Sequence, residues 1–124
     1  MHKSRLSTFV IDCRTGELDK ATQFWSAALG RKAKPSNDPG YTDLEAAPGE
    51  PLLIVQKVDH ESRIHLDIES DDLEAEARRL EALGAKRVAF VKRWWVMEAP
   101  TGQRFCIVNP QRGPFKPGEG NEWP

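Results

Sequence analysis

One histidine and two aspartates have the spacing that acid–base chemistry needs. His65 and Asp67 stand in RIHLDIE, where polar and apolar residues alternate, so a β-strand would place both polar side chains on one face. Asp12 holds the corresponding place in a second apolar stretch, FVIDC. A histidine beside a carboxylate can act as a general base, and two carboxylates can form an acid–base couple. The same groups can equally make structural hydrogen bonds, so the sequence leaves both roles open.

Four further side chains are candidate contacts for a ligand: Gln56, Trp94, Trp95 and Cys106. The two tryptophans are adjacent in a predicted strand, so only one of them can face a site and stack on a planar ligand. Both can instead be ordinary packing residues. Cys106 is a nucleophile if it lies near His65, or else an inert buried thiol. Gln56 is the polar side chain of its strand nearest the predicted site.

Length and charge exclude several classes of protein. At 124 residues the chain can bury one hydrophobic core and is too short for two ordinary domains. A net charge of −1 gives no basic surface for nucleic acid. No apolar run approaches the roughly 20 residues of a membrane span, and MHKSRLS is not a signal peptide. Two cysteines in predicted strands are expected to be reduced thiols. We therefore expect one cytoplasmic domain over residues 1–124, with no nucleic-acid or membrane partner.

The candidate side chains are positioned by strands and helices that the hydrophobic periodicity predicts. These are a strand at 6–13, a helix at 18–29, strands at 52–58 and 63–69, a helix at 73–83, and strands at 87–91, 94–98 and 104–109. One or two short strands are expected in the loop-rich region 31–50. Residues 1–5 are expected to be loose, and the charged faces of the helices are expected to lie in solvent. The tail 110–124 is either flexible or a strap held by Phe115 and Trp123.

The two halves of the chain resemble each other. Asp12 corresponds to Asp67 at an offset of 55 (67 − 12), and Gly30 corresponds to Gly84 at an offset of 54 (84 − 30). Each half reads as a βαβββ module, the first over about 6–58 and the second over about 63–109. Such a module cannot bury both faces of its sheet alone. The sequence therefore predicts an α+β fold in which two tandem βαβββ modules form a curled mixed sheet around a central cleft, with the helices outside.

Three stretches carry a family resemblance: VIDC followed by FWSAALG, then RIHLDIESDDLEAEARRLEALGA, then WWVMEAPTGQRFCIV. Over residues 6–109 the chain resembles the vicinal oxygen chelate superfamily, the group of glyoxalase I, bleomycin-resistance proteins and extradiol dioxygenases. It is most similar to the small glyoxalase-like domain proteins of that group. The resemblance implies the paired-module fold and a possible homodimer.

The resemblance also implies where a metal would bind. In metal-dependent members, four strand residues, usually His or Glu, hold one divalent ion. Here His65 matches a ligand position, but its mate in the first strand is Val10, and Cys106 stands where the glutamate is common. The repeat register predicts Leu53 as the counterpart of Cys106, with Gln56 on the opposite face. One imidazole and one thiol are too few donors for such an ion, so no metal cofactor is expected.

Two functions of different classes follow. The first is metal-independent binding of a small molecule in the cleft, of the resistance or sequestering type, by Asp12, Asp67, Gln56, Cys106 and a tryptophan. The alternative is a metal-dependent lyase, isomerase or dioxygenase, in which His65 is a metal ligand or base and Gln56 and substrate oxygens complete the ligand set. Whether the chain is an enzyme stays open, and in the alternative the cofactor is a divalent metal ion.

Overall fold

The computed structural model describes residues 1–36 and 38–124. Its elements follow the order β1 (His2–Arg14), α1 (Leu18–Leu29), β2 (Ala33–Pro35), β3 (Tyr41–Leu44), β4 (Leu52–Val58), β5 (Arg63–Ser70), α2 (Leu73–Ala82), β6 (Lys86–Val91), β7 (Trp94–Glu98), β8 (Arg104–Val108) and β9 (Asn121–Trp123). Within these ranges, no helix is both long and apolar enough to cross a membrane.

The chain divides into two compact units. Unit 1 combines Met1–Ser7 with Leu66–Pro124, and unit 2 is the continuous segment Thr8–His65. In unit 2 the strands lie in the order β2-β3-β4-β1, with β1 parallel to β4 and the other pairs antiparallel. In unit 1 the order is β5-β8-β7-β6, with β5 parallel to β8. The predicted α+β class and the repeated βαβββ pattern are therefore confirmed.

Unit 2 buries its core between the sheet and α1. Helix α1 packs on β2, β3 and β4, and Ile11, Leu44 and Val55 are buried. These three residues lie on one face of the sheet, because Ile11 pairs with Val55 and each strand alternates. The helix ends where Gly30 adopts a left-handed conformation with φ of 65°, which glycine allows without strain.

Unit 1 buries its core beneath α2. Ala77, Leu80, Met97 and Ile107 form the buried cluster, with Ile68, Leu73, Ala85, Trp95 and Phe105 packed against it. Asp72 caps the helix, because its side chain accepts a hydrogen bond of 3.0 Å from the backbone N–H of Ala75. The apolar residues Leu73, Ala77 and Leu80 of α2 therefore face the core, whereas Leu83, just after the helix, is exposed.

The first strand starts earlier than the sequence predicts. Residues 1–5 were expected to be loose, but β1 begins at His2 and pairs antiparallel with β9. The Trp123 indole N–H donates to the hydroxyl of Ser4 at 2.8 Å, so the tail is a strap and not a flexible end. The strap supplies the partner strand that orders the first residues of β1, and periodicity alone does not reveal such a contact.

One residue of the charged face of α2 is buried, which contradicts the expectation that this face lies in solvent. Glu76 is 0% exposed. It accepts hydrogen bonds from the Nε2 of His2 at 2.7 Å and from two guanidinium nitrogens of Arg79, each at 2.8 Å. The Arg79 guanidinium also lies 3.8 Å from the centroid of the Trp123 ring. Glu76 thus joins α2 to the start of β1, and Arg79 extends the contact to the strap.

A second buried carboxylate, that of Glu69, binds the start of the strap at Gln111. Glu69 is 1% exposed. One of its oxygens accepts from Arg5, and the other accepts from the backbone N–H of Gln111 at 2.7 Å. Both oxygens of Glu69 and both oxygens of Glu76 therefore have donors, as buried carboxylates generally require.

Substitution of Glu76 tests this anchor. We expect Glu76→Gln to lower the free energy of unfolding by about 3 kcal/mol, since it leaves the partly buried Arg79 without its charged partner. Glu74→Gln on the same helix is the matched control, because Glu74 is exposed where it meets Arg87, and we expect a much smaller change there. Urea unfolding followed by circular dichroism measures both variants. Equal losses in the two variants would contradict the assignment.

The same carboxylate makes stability depend on pH. Burial alone would raise the pKa of Glu76, but hydrogen bonds from Arg79, His2 and Ser4 outweigh it and hold this pKa below the ordinary 4.5. The folded state therefore binds this proton less readily than the unfolded state, so the stabilisation is present above pH 4.5 and is lost as the pH falls through the folded pKa. We expect the urea midpoint to fall more steeply on acidification in the wild type than in Glu76→Gln. Parallel profiles would refute this.

Candidate functional site

A row of polar side chains crosses the sheet of unit 2. Strand register places Tyr41 opposite Gln56 and Gln56 opposite Asp12, and paired residues of neighbouring strands point to the same face. The Gln56 amide Nε2 donates to the Tyr41 hydroxyl oxygen at 3.0 Å. His65 contacts the Asp12 end of the row. We call Tyr41, Gln56, Asp12 and His65 the polar row.

The polar row lies on the face of this sheet that α1 does not cover. Cys13 follows Asp12 in β1, so the two side chains point to opposite faces. The Cys13 thiol interacts with Trp25 of α1, which places the helix on the side away from Asp12. Burial raises the pKa of the Cys13 thiol, so this cysteine is neutral at physiological pH and is not a nucleophile.

The closest contact in the row joins His65 to Asp12. The Nδ1 of His65 lies 2.7 Å from Oδ2 of Asp12, and the two side chains are 13% and 2% exposed. Because a carboxylate only accepts hydrogen bonds, Nδ1 is the protonated nitrogen and Nε2 of the neutral ring is the acceptor. The other carboxylate oxygen of Asp12, Oδ1, is buried and has no hydrogen-bond partner. The Nε of Arg63 lies 4.0 Å from Oδ2, and its side chain is half exposed.

A second row runs beside the first on the same face. Here Lys34 pairs with Asp43, Asp43 with Ile54, and Ile54 with Val10. Burial raises the pKa of Asp43, and the charge of Lys34 opposes that rise. Sequence reasoning missed both Tyr41 and Asp43 as site residues. The short strand that carries them was expected, but its pairing with β4 depends on register, which the sequence does not reveal.

The register corrects one prediction about the repeat. In unit 1, Asp67 pairs with Cys106 and Cys106 pairs with Val96. Since Asp12 and Asp67 correspond, the counterpart of Cys106 is Gln56 and not the predicted Leu53. Gln56 therefore shares a face with Asp12, whereas the sequence placed it on the opposite one. The row Tyr41–Gln56–Asp12 in unit 2 has the counterpart Val96–Cys106–Asp67 in unit 1.

The two candidate tryptophans lie on opposite faces of β7. Trp94 is two residues from Val96, so it shares the face of Cys106 and Asp67. Trp95 packs against the α2 core, where the Phe90 ring centroid is 5.1 Å from its own and the Arg87 guanidinium is 4.8 Å away. Contact of a ligand with Trp94, Asp67 or Cys106 stays a prediction.

Candidate metal donors lie on the strands of both units. In unit 2, His65 supplies one imidazole, and Asp12 supplies a carboxylate that already contacts the Nδ1 of His65. In unit 1, Asp67 and Cys106 are two donors on paired strands. The expectation that the chain holds no metal cofactor stays a prediction.

Residues 8–108 match the family model described as a glyoxalase-like domain. The Mn(II)-bound glyoxalase from Novosphingobium aromaticivorans superposes with a TM-score of 0.62 at 15% identity, over 88% of this chain and 40% of that one. A methylmalonyl-CoA epimerase gives 0.56 at 11% identity, over 86% and 95%. A Legionella pneumophila protein described as an NAD-dependent benzaldehyde dehydrogenase gives 0.61 at 11%, over 80% and 96%. At these identities the structures show the fold alone. No curated protein matches this chain in sequence.

The His65–Asp12 contact fixes which ring nitrogen carries the proton. We expect neutral His65 to be the Nδ1–H tautomer, and we expect Asp12→Ala to give a mixture of tautomers because the acceptor is lost. Long-range ¹H–¹⁵N correlation spectra distinguish the two forms. A wild-type ring protonated at Nε2 would show that the contact does not have this geometry.

Proposed function

This chain belongs to the glyoxalase-like domain family of the vicinal oxygen chelate superfamily, and we propose that it binds a small organic molecule at the polar row without a metal ion. The proposal is carried by the row itself, which aligns a phenol, a carboxamide and a carboxylate across β3, β4 and β1, with the imidazole of His65 bonded to the carboxylate. Such groups bind an organic molecule that offers both hydrogen-bond donors and acceptors.

The order within the row favours a ligand site over a purely structural network. The Gln56 amide is oriented by Tyr41, and the His65 ring is oriented by Asp12. Side chains held in this way lose little conformational entropy when a ligand binds, so each hydrogen bond to the ligand contributes more affinity. The face that carries them is not the one that α1 covers.

The donor types support binding without a metal. An imidazole and a carboxamide are the groups that the row offers to a ligand, and Asp12 is oriented toward His65. Hard divalent ions prefer several oxygen donors, and transition metals prefer several imidazoles or thiolates. Relatives of similar fold are named as a glyoxalase and an epimerase of methylmalonyl-CoA, and both names describe chemistry on small organic molecules. A sequestering role, a cytoplasmic location and a homodimer belong to the same proposal.

Two measurements test the proposal. Protein purified without chelators should contain far less than one metal per chain and should show no thermal shift with Zn²⁺, Ni²⁺, Mn²⁺ or Fe²⁺. A fragment set of hydroxy acids, oxo acids and amides should shift the backbone amide resonances of row residues in ¹H–¹⁵N spectra. Gln56→Ala should weaken the best fragment roughly 5-fold, the effect of one hydrogen bond. Lys57→Ala is the matched control, since its side chain points to the opposite face.

Three outcomes would overturn the proposal. Near-stoichiometric metal that is lost in His65→Ala would support the metal-dependent enzyme instead. Fragments that shift resonances only outside the row, or an equal effect of Gln56→Ala and Lys57→Ala on affinity, would show that the row is not the binding site.

A further inference from the structure

We propose that the outer edge of β6 is a docking site for an extended segment of another protein, one in which apolar residues are flanked by acidic side chains. The segment would pair with β6 as an added strand of the unit 1 sheet, a recurring mode of peptide recognition. β6 is the outermost strand of that sheet, and such a strand presents backbone N–H and C=O groups on its outer side. The proposal involves no residue of the polar row and is independent of the function proposed there.

The two modules differ in their outermost strands. β2 and β6 each follow the helix of their module, and each stands at the end of its unit's strand order. β2 (Ala33–Pro35) has three residues and ends in a proline, which has no backbone N–H to donate to a neighbouring strand. Short edge strands and edge prolines prevent pairing with other chains. β6 (Lys86–Val91) has six residues and no proline, so its edge is better suited to pairing.

The sequence of β6 is that of an interior strand. Residues 88–91, VAFV, form an uninterrupted apolar run, the pattern of strands that are covered on both faces. Register places Phe90 beside Trp95 on the face of the α2 core, and Val91 beside Trp94 on the opposite face. Five of the six residues of β6 are nevertheless exposed, and Phe90 is 52% and Val91 39% exposed. An added strand would therefore find apolar neighbours on both faces.

Basic side chains flank this apolar run. Lys86 begins β6, and Lys92 and Arg93 form the turn that follows it. The carboxylate of Glu98, which is opposite Lys86 on β7, is bound by Arg104 at 3.0 Å. Antiparallel pairing of two copies of β6 about a two-fold axis would oppose the Lys86 end of each to the Lys92 end of the other, and like charges on facing strands destabilise pairing. A partner with acidic side chains at both ends has complementary charge instead.

The strap of this chain is an internal example of such a partner. β9 pairs antiparallel with the start of β1 over three residues, and Glu122 there lies opposite Lys3. A short extended segment with a carboxylate opposite a lysine thus already pairs with a strand of unit 1. β6 offers a comparable length, because its register with β7 is continuous from Ala89 to Val91, beyond a bulge after Arg87.

Short synthetic peptides test the docking site on the intact chain. The probe is the N-acetylated, C-amidated peptide Glu-Glu-Val-Thr-Val-Glu-Glu, titrated into ¹⁵N-labelled protein. We expect it to shift the backbone amide resonances of residues 88–91 and to give Hα–Hα nuclear Overhauser contacts with β6. Methylation of the central valine and threonine nitrogens removes donors on both edges of the peptide and should weaken binding roughly 10-fold or more, because main-chain hydrogen bonds supply affinity in strand addition.

Reversal of charge tests whether the basic residues select the partner. Lys86→Glu should weaken the acidic peptide roughly 5-fold and improve binding of a peptide with lysine in place of each glutamate, since an attractive pair becomes a repulsive one. Lys32→Glu is the matched control, because it makes the same change of net charge at an exposed residue just before β2. It should leave both affinities unchanged.

Two outcomes would refute the proposal. Equal binding of the acidic, lysine and methylated peptides, or shifts only outside β6, would show that the edge does not add a strand of this kind. Broadening of β6 resonances with rising protein concentration, together with a dimer in sedimentation velocity, would show that a second copy of the chain occupies the edge instead.

Discussion

A carboxylate removed from water has to find donors, and three carboxylates in this chain determine much of what surrounds them. Glu69 and Glu76 satisfy both oxygens, and in doing so they hold the start of β1, the helix α2 and the C-terminal strap together in unit 1. Asp12 has one oxygen bonded to His65 and leaves the other without a donor. The same physical requirement is thus met fully where the chain needs an anchor, and only partly where it positions an imidazole.

The two βαβββ modules keep one backbone pattern but carry different chemistry on it. The three paired positions of the row are Tyr41, Gln56 and Asp12 in unit 2, and the equivalent residues of unit 1 are Val96, Cys106 and Asp67. Only the aspartate is kept. One copy carries a phenol and an amide, and the other carries a valine and a thiol. A duplicated scaffold therefore allows one copy of the row to specialise without changing the strand pairing that supports it.

The local sequence pattern predicted most helices and strands of this fold, but it could not predict which distant strands pair. The bounds of α1, β4 and β7 follow from periodicity and from turn residues, because both signals lie within each element. The start of β1 did not follow, since it depends on a strand more than a hundred residues away. The burial of Glu76 was missed for the same reason: a charged residue on an amphipathic helix is normally exposed, and only the distant His2 makes it otherwise.

The candidate site was predictable in its residue types and not in its geometry. Alternation placed His65 and Asp12 on the inner faces of their strands, but it could not show that they touch. The register error that put Gln56 on the wrong face arose because the repeat was aligned by sequence offset. Hydrogen-bonded pairing fixes the alignment instead, and it places Gln56 beside Asp12. Tyr41 then enters the site through its pairing with Gln56.

The pairing of β9 with the first residues of β1 affects the order in which the two units can fold during synthesis. Unit 2 is one continuous segment, so its contacts are available once residue 65 has left the ribosome. Unit 1 is assembled from both ends of the chain, and His2 has to wait for Trp123 before its strand is complete. Contacts of such sequence separation slow folding. Until β9 has been synthesised, the first residues of β1 carry an unpaired strand edge, which chaperone binding would protect from association with other chains.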